Sequence, residues 1–516
     1  MDNPIADALR AHLANYTQDT RFLRIHTPLG ADALLVESLT AREAVDECYR
    51  IELTVLSTDA HLELKRLIGQ PVLLQLLTQH SRTDLRPFHG HVTGFEQLGS
   101  DGGFARFKVI IQPWLALLQK RQDSFIFQDM SVIEIIESVF ADYANQGKLI
   151  PAWRFDLLDE NLYTKRSLTI QYNESDYNLI CRLLAEEGLF FWFEHAGDVN
   201  APQFGSHTLV IADHNGAFHP NRQAEVRYHR NAATETSDSI QQWTEETRTL
   251  PNAVELSSWD YRTLSTRPVT ATADLSASAP RVTQQIPAGQ YAYATRDIGQ
   301  RIATRRLEAF DARAKISYGQ GGVRTAAPAT TFSLREHPRI DRQRVLHGDE
   351  FATFVLLAVE HQAQNNLSVD IKHHLARLFA PGAARPFDVT SQSNPDLLKL
   401  PPLEPGQLYR NRFSVMPAHR PYRPLIESLP DTSFAEEQAF AYACHGAPLT
   451  YPQHTRPVIS GTHSAIVVGN AEQALLTDRD HRIKIQFHWQ RGERAHNRQP
   501  HPSGENNAPA SAALGT

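Results

Sequence analysis

The chain is predicted to be mainly β with α+β elements: two small antiparallel barrel domains flanking an α+β module, followed by the start of a further β domain. Three observations carry this. Apolar and polar residues alternate at 49–55, 105–111 and 482–489, the period of a strand with one wet face. Glycine-rich breaks such as Leu98–Gly103 divide the early strands with no long helix between them. Helical spacing is confined to a few stretches, of which 132–143 and 176–187 lie together near the middle of the chain.

Residues 1–20 place Ile5, Leu9, His12, Leu13 and Tyr16 at helical spacing and predict a short arm. They have neither the basic start nor the continuous apolar run of a signal peptide. Residues 21–118 form the expected first barrel. Tyr49, Ile51, Leu53 and Val55 alternate with Arg50, Glu52 and Thr54, and Val72–Leu77 is a more buried run. Ala105, Phe107, Val109 and Ile111 alternate in the same way with Arg106 and Lys108.

Residues 119–250 form the α+β module. Ser131 with Glu134 three residues on is a capping box; Val132, Ile135, Ile136, Val139, Phe140 and Tyr143 trace an apolar helix face, which Gly147 can end. Ser167–His195 predicts strand, capped helix and strand. Leu168, Ile170 and Tyr172 alternate; Asn173 or Ser175 caps; Glu174 and Asp176 set negative charge at the positive end of the helix dipole. Tyr177, Ile180, Cys181 and Leu184 share one face, and Glu186 and Glu187 are expected in a solvated last turn. Gly188 permits the left-handed stop before the apolar Leu189–Phe193.

A second barrel is expected over 251–380, with a helix at Gln300–Ala314 and strands at Thr331–Leu334 and Phe351–Val359. Residues 381–455 are expected to be a connector with packing strands, Tyr409–Met416 among them. In 456–516, Ile483, Ile485, Phe487 and Trp489 share one strand face, and beyond Gly492 no apolar period remains. An isolated hairpin is marginal in water, so this last domain is expected to begin without finishing and the sequence to be a fragment.

Net charge −7 leaves no concentrated basic footprint for nucleic acid. No apolar run approaches a membrane span of ~18 residues, so no stable membrane anchor is predicted. Cys48, Cys181 and Cys444 lie far apart and suggest neither disulfide scaffold nor thiolate zinc site. Of 24 histidines the densest groups are His373–His374 and the set His207, His214, His219 and His229, yet HExxH is missing and solvated or hydrogen-bonded histidines are expected. Gly461–Ala465 does not fit GxSxG, lacking its final glycine and placing Ser464 one position late, and Gly319–Gly322 is expected to be a mobile loop. Adjacent Glu186 and Glu187 do not share a helix face as paired catalytic carboxylates would, and Phe190–Phe193 is expected to pack in a core or subunit interface. No catalytic, cofactor-binding or metal-ligating residue is therefore assigned.

The segment QYNESDYNLICRLLAEEGLFFWFEH at 171–195 resembles the central motif of the VgrG family, the spike proteins of the bacterial type VI secretion system. Further similarities follow in order: LQKRQDSFIFQDMSV at 118–132, YAYATRDIGQRIATRRLEAF at 291–310, TFSLREHP at 331–338, YRNRFSVMPAHRPYRP at 409–424, and TDRDHRIKIQFHWQRG at 477–492. The chain departs from the family pattern at His481 and Gln490, where surface turns are expected. The resemblance implies a non-enzymatic homotrimer without cofactor, capping a hexameric Hcp tube. It implies assembly in the cytoplasm and then injection without a cleavable signal. Residues 456–516 would begin an OB-like spike-base barrel, and the needle, any toxin domain and contacts with effectors, adaptors or a PAAR tip would lie past Thr516. A phage-type tail hub, a secreted effector enzyme with its activity in a missing C-terminal domain, and a cargo adaptor are the alternatives.

Overall fold

The computed structural model describes residues 18, 20–79, 85–100, 105–229, 238–260, 263–273, 280–290, 292–367, 403–424 save 405, and short stretches between 457 and 515. The arm expected at 1–20 lies almost wholly outside the described residues.

Six strands form the first barrel: β1 (Leu23–His26), β2 (Leu35–Ala44), β3 (Arg50–Ser57), β4 (Pro71–Leu76), β5 (Arg86–Ser100) and β6 (Ala105–Gln112). All pair antiparallel in the order β1-β4-β5-β6-β3-β2. In β3 the alternation resolves as expected: Ile51, Leu53 and Val55 are buried, while Glu52 points outward between Arg50 (2.7 Å) and Lys108 (2.8 Å). Phe88, Phe107, Val109 and Leu74 fill the interior. The seam between β1 and β2 is closed by a distant side chain. Asn365 accepts from the Leu23 N–H (3.1 Å) and donates to the carbonyls of Leu23 (3.0 Å) and Val36 (2.7 Å).

The central module contains β7 (Gln122–Met130), α1 (Val132–Ala141), β8 (Trp153–Asp156), β9 (Arg166–Ser175), α2 (Asp176–Glu187), β10 (Phe190–Gly197) and β11 (Gly205–Ala212). Ser131 and Glu134 make the expected capping box on α1. That helix stops at Ala141, before Gly147, whose positive φ serves a later turn. Ser175 caps α2 through the Asn178 N–H (3.1 Å), while Asn173 takes a left-handed conformation just ahead of it. Gly188, at φ 70°, ends α2 as a left-handed cap, and the Leu189 N–H closes back on the Leu184 carbonyl at 2.8 Å. β10 then lies between two cores. Phe191 faces the α1–α2 core, and Phe190 and Trp192 face a core shared with the second half of the chain.

The second half contains β12 (His219–Arg227), β13 (Ile240–Thr247), β14 (Ala253–Asp260), β15 (Ser265–Thr272), β16 (Thr283–Gln290), α3 (Arg296–Ala314), β17 (Lys315–Gly321), β18 (Thr330–Arg335), α4 (Pro338–His347), β19 (Thr353–Gln364) and β20 (Tyr409–Pro417). Pairing runs β12-β18-β19-β20-β17-β13, and a bridge from Tyr228 to Ile240 returns β13 to the end of β12, so a second barrel closes. Phe332, Phe354 and Phe413 lie in its core. The expected span of 251–380 is thus redrawn: the barrel takes strands from 219–247 and 409–417, whereas β14–β16 form a separate sheet covered by α3. Strand register, not sequence continuity, decides membership.

β19 pairs with β20 on one side and β2 on the other, which makes the two barrels one twelve-stranded sheet. The loop expected at Gly319–Gly322 is likewise corrected. Gly319–Gly321 lies within β17, and a Cβ on Gly319 would stand 2.2 Å from the Phe413 ring, so the glycine makes room for a core aromatic. Near the C-terminus β21 (Ala465–Val467), β22 (Ile483–Phe487) and β23 (Ala513–Gly515) form a small sheet, and Trp489 sets its ring 5.6 Å from Tyr172 on β9. Among the described residues no helix is long and apolar enough to cross a membrane.

Asn365→Ala leaves one N–H and two carbonyls of the first barrel's seam unpaired. A loss of about 2–4 kcal/mol in urea unfolding is expected.

Candidate functional site: a buried polar seam

The fused sheet buries charge where its halves meet. Glu43, near the end of β2, is 4% exposed. It accepts from Arg86 at the start of β5 and from the Nε2–H of His361 on β19 (2.9 Å). His195 on β10 brings Nε2 to 3.4 Å, a longer electrostatic contact outside good hydrogen-bond geometry. One carboxylate thus meets groups from the first barrel, the module and the second half. Beside it Arg42 grips Glu47 through two bonds of 3.0 Å and reaches Glu360 on β19 at 3.4 Å.

Hydrogen-bond direction fixes the imidazole tautomers. The Tyr409 hydroxyl donates to Nδ1 of His361 (2.7 Å), leaving Nε2–H for Glu43. The Trp114 N–H donates to Nε2 of His207 (3.0 Å), so His207 Nδ1–H donates to Nδ1 of His89 (2.9 Å) and His89 Nε2–H to the Gln203 carbonyl (2.8 Å). The His89 N–H in turn donates to Nδ1 of His195 (3.1 Å). His89, His207 and His361 are therefore neutral links, each with both ring nitrogens in use.

Three residues beyond Glu43, the β2–β3 turn makes a second joint. Asp46 sits at φ 62°. Its N–H donates to the Phe191 carbonyl (2.8 Å), while its carboxylate accepts from the Phe191 N–H (3.0 Å) and the Tyr422 hydroxyl (2.7 Å). The Val45 N–H donates to the Leu357 carbonyl at 2.8 Å. A single turn so fastens β10, β19 and the segment after β20.

Burial alone would raise the Glu43 pKa, but Arg86, the bond from His361 and the nearby His195 ring outweigh it and hold the carboxyl well below its usual range. Burial lowers His89 and His361 to about 4, and His207 and His91 move in the same direction. Burial raises Asp46 to about 7 against the pull of Tyr422 and Phe191. Both ring nitrogens of His89, His207 and His361 are spent on internal bonds, Glu43 and these histidines are shut from solvent, and among the described residues of the seam no nucleophile stands beside a base.

Of the histidine groups singled out by density, only His207 enters the seam. His214 lies 3.4 Å from Asp156 and His219 3.4 Å from Glu194, and His373–His374 lies outside the described residues. His207 instead meets His89, His91 and His195. Among the described residues no three His, Cys, Asp or Glu converge as metal ligands would. Glu186 and Glu187 are half-buried rather than solvated: Arg166 spans both, at 2.8 and 2.7 Å, because the end of α2 lies under β9 and α3. Phe190, Phe191 and Trp192 are core residues. Gly461–Ser464 leads into strand β21 rather than into the helix that a nucleophile elbow needs.

Residues 42–367 match the family model for the phage tail baseplate hub (GPD). Two type VI secretion system spike proteins of Pseudomonas aeruginosa, VgrG1b and VgrG1a, are each 25% identical to this chain over 93% of its length. The matches cover 54% and 62% of those proteins, so the chain spans little more than half the length of these relatives. The E. coli c3393 protein, described as a type VI secretion component structurally similar to the T4 tail proteins gp27 and gp5, superposes with TM-score 0.55 at 16% identity. The superposition covers 90% of this chain and 88% of that one.

The seam sets the acid response. Between pH 6.5 and 4 the unfolded chain binds protons at His89 and His361 that the folded chain does not, so acid destabilises by about 1.4 kcal/mol per pH unit for each. Asp46, protonated more readily when folded, opposes this with one such slope between pH 3.8 and 7. Two histidines, with His207 and His91 acting in the same direction, outweigh one carboxyl; below pH 4.5 the Glu43 contribution is lost as well. The melting temperature is expected to fall steadily from pH 6.5 to 4.5 in differential scanning calorimetry. Glu43→Gln leaves the buried Arg86 without its carboxylate and is expected to cost about 3–5 kcal/mol at pH 7.

Proposed function

The chain belongs to the phage tail baseplate hub (GPD) family, and we propose that it is the structural, non-enzymatic hub of a type VI secretion spike. In this reading three chains assemble about a threefold axis and seat on a hexameric Hcp tube, and sheath contraction drives the assembly through a target membrane. The observation that carries the reading is the pair of barrels fused in one sheet. Three copies of such a pair offer six barrels to a sixfold partner, which reconciles a trimer with a hexamer by geometry alone. The likeness to spike proteins of Pseudomonas aeruginosa supports the secretion setting over a phage tail.

Several finer assignments belong to the same proposal. Strands β21–β23 begin an OB-like spike base, and effectors, adaptors or a PAAR tip engage a longer protein beyond it. Assembly takes place in the cytoplasm and is followed by injection. The seam serves this role mechanically, because a hub under axial load gains when its two tube-facing barrels cannot hinge.

An obligate interface of over ~2,000 Å² per contact is expected. Light scattering is expected to give three times the 58.1 kDa chain mass, and particle images with the tube protein a three-chain ring on a hexamer. A monomer at micromolar concentration that leaves the tube bare would overturn the proposal.

A further inference from the structure

Among the described residues, three of the four most exposed large apolar side chains fall in two places. Val345 (81% exposed) and Leu346 (63%) stand at the end of α4; Leu158 (73%) stands in the turn that follows β8, with Leu162 (41%) four residues on. Neither place covers the other, since the side chains of both remain in solvent.

Each is held in position. Ile340 seats α4 in the second barrel's core, and the His337 ring caps its start by accepting from the Ile340 N–H at 3.4 Å. Arg339, Arg342, Val345 and Leu346 then recur at the spacing of one outward helix face. The turn at 158–162 is pinned at both ends by a single carboxylate: Asp213 accepts from the Leu158 N–H (3.1 Å) and from the Tyr163 hydroxyl (2.8 Å). Within it Asp159 accepts from the Asn161 N–H at 3.0 Å. The leucines are thus presented in fixed places, which leaves little ordering entropy to lose on binding.

The two faces differ in charge. α4 has three arginines against Asp341, which Arg344 meets at 3.3 Å. Residues 156–163 have three acidic side chains and no lysine or arginine. Arg339 meets Glu245 at 3.3 Å and Asp156 meets His214 at 3.4 Å, whereas Arg342 and Glu160, both exposed, make no ion pair among the described residues.

We propose that α4 of one chain docks on the 158–162 turn of a second copy, Val345 and Leu346 covering Leu158 and Leu162 while Arg342 pairs with Glu160. One chain presents both halves of the match, so a second copy supplies apolar area and countercharge together. An anionic partner of another kind would suit α4 and be repelled by the turn. The contact joins unlike faces, and a ring of three uses every face once. It rests on the trimeric reading above for the number of copies and names the surface by which they meet.

Sedimentation velocity of the full chain over a dilution series gives the concentration at which the trimer half-dissociates. Arg342→Glu and Glu160→Arg each set like charges opposite one another and are expected to raise that concentration at least about tenfold. The double variant restores the pair with its signs exchanged and is expected to return to within about threefold of the wild type. Far-UV circular dichroism is expected to be unchanged throughout, because both side chains are exposed. Single reversals that leave the trimer intact, or a double variant no better than either single one, would overturn the proposal and leave the hub reading standing. Trimers of unchanged mass that no longer bind the hexameric tube would overturn it too, by assigning these faces to the tube. A monomeric wild-type chain also defeats it, and the hub reading falls with it only if the tube stays bare.

Discussion

A carboxylate taken out of water must find its partners at the same depth, and the arrangement around Glu43 meets that demand. Because β2 pairs with β19, the side chains at the junction of the two barrels lose their solvent. Arg86 supplies the countercharge and His361 a neutral donor. Each helper is then oriented by its own partner: Tyr409 fixes the His361 tautomer, and the Phe88 ring lies 4.4 Å from the Arg86 guanidinium. Removing one member leaves the others buried with an unmet charge or hydrogen bond.

This buried ionic cluster is a costly way to gain stability, because apolar side chains of the same volume would fill the space with less desolvation. What the polar groups add is direction. Glu43 and Asp46, three residues apart, dictate which face of β10 and which register of β19 meet the end of β2, since a one-residue slip would strand a charge. Apolar contacts across β10 alone, with Phe190 and Trp192 on one side and Phe191 on the other, would tolerate such a slip far better.

The local elements were legible because their signals are local. The β3 alternation, the Ser131–Glu134 box and the Gly188 stop each rest on residues within a turn or two of one another. The seam was not legible, because its members are gathered from six strands and a loop. A partial signal did exist: His89 and His91 stand two apart on β5 and share a face, and a pair of histidines on one face of a strand otherwise rich in apolar residues asks for a buried partner. Counting histidines by sequence density caught His207 but set it with His214 and His219, which the fold leaves with partly exposed carboxylates. Barrel membership failed for the same reason. Strands β14–β16 carry the alternation of barrel strands, and only register shows that they close on α3 instead. In β17 the glycines suggested a mobile loop, whereas Gly319 admits the Phe413 ring and Gly321 the Ser239 carbonyl.

The closure of the first barrel by Asn365 bears on how the chain is made. Leu23 and its partner are separated by 342 residues, and a ribosome emits the strands of that barrel long before the side chain that joins β1 to β2. Until then the barrel is an open sheet with two unsatisfied edges inside a crowded cell. Only when β19 emerges and lies down beside β2 can one side of that sheet be covered and the seam sealed in the same event. Nascent chains halted before residue 365 would therefore remain substrates for chaperones, and maturation of the N-terminal barrel is timed by the arrival of the second.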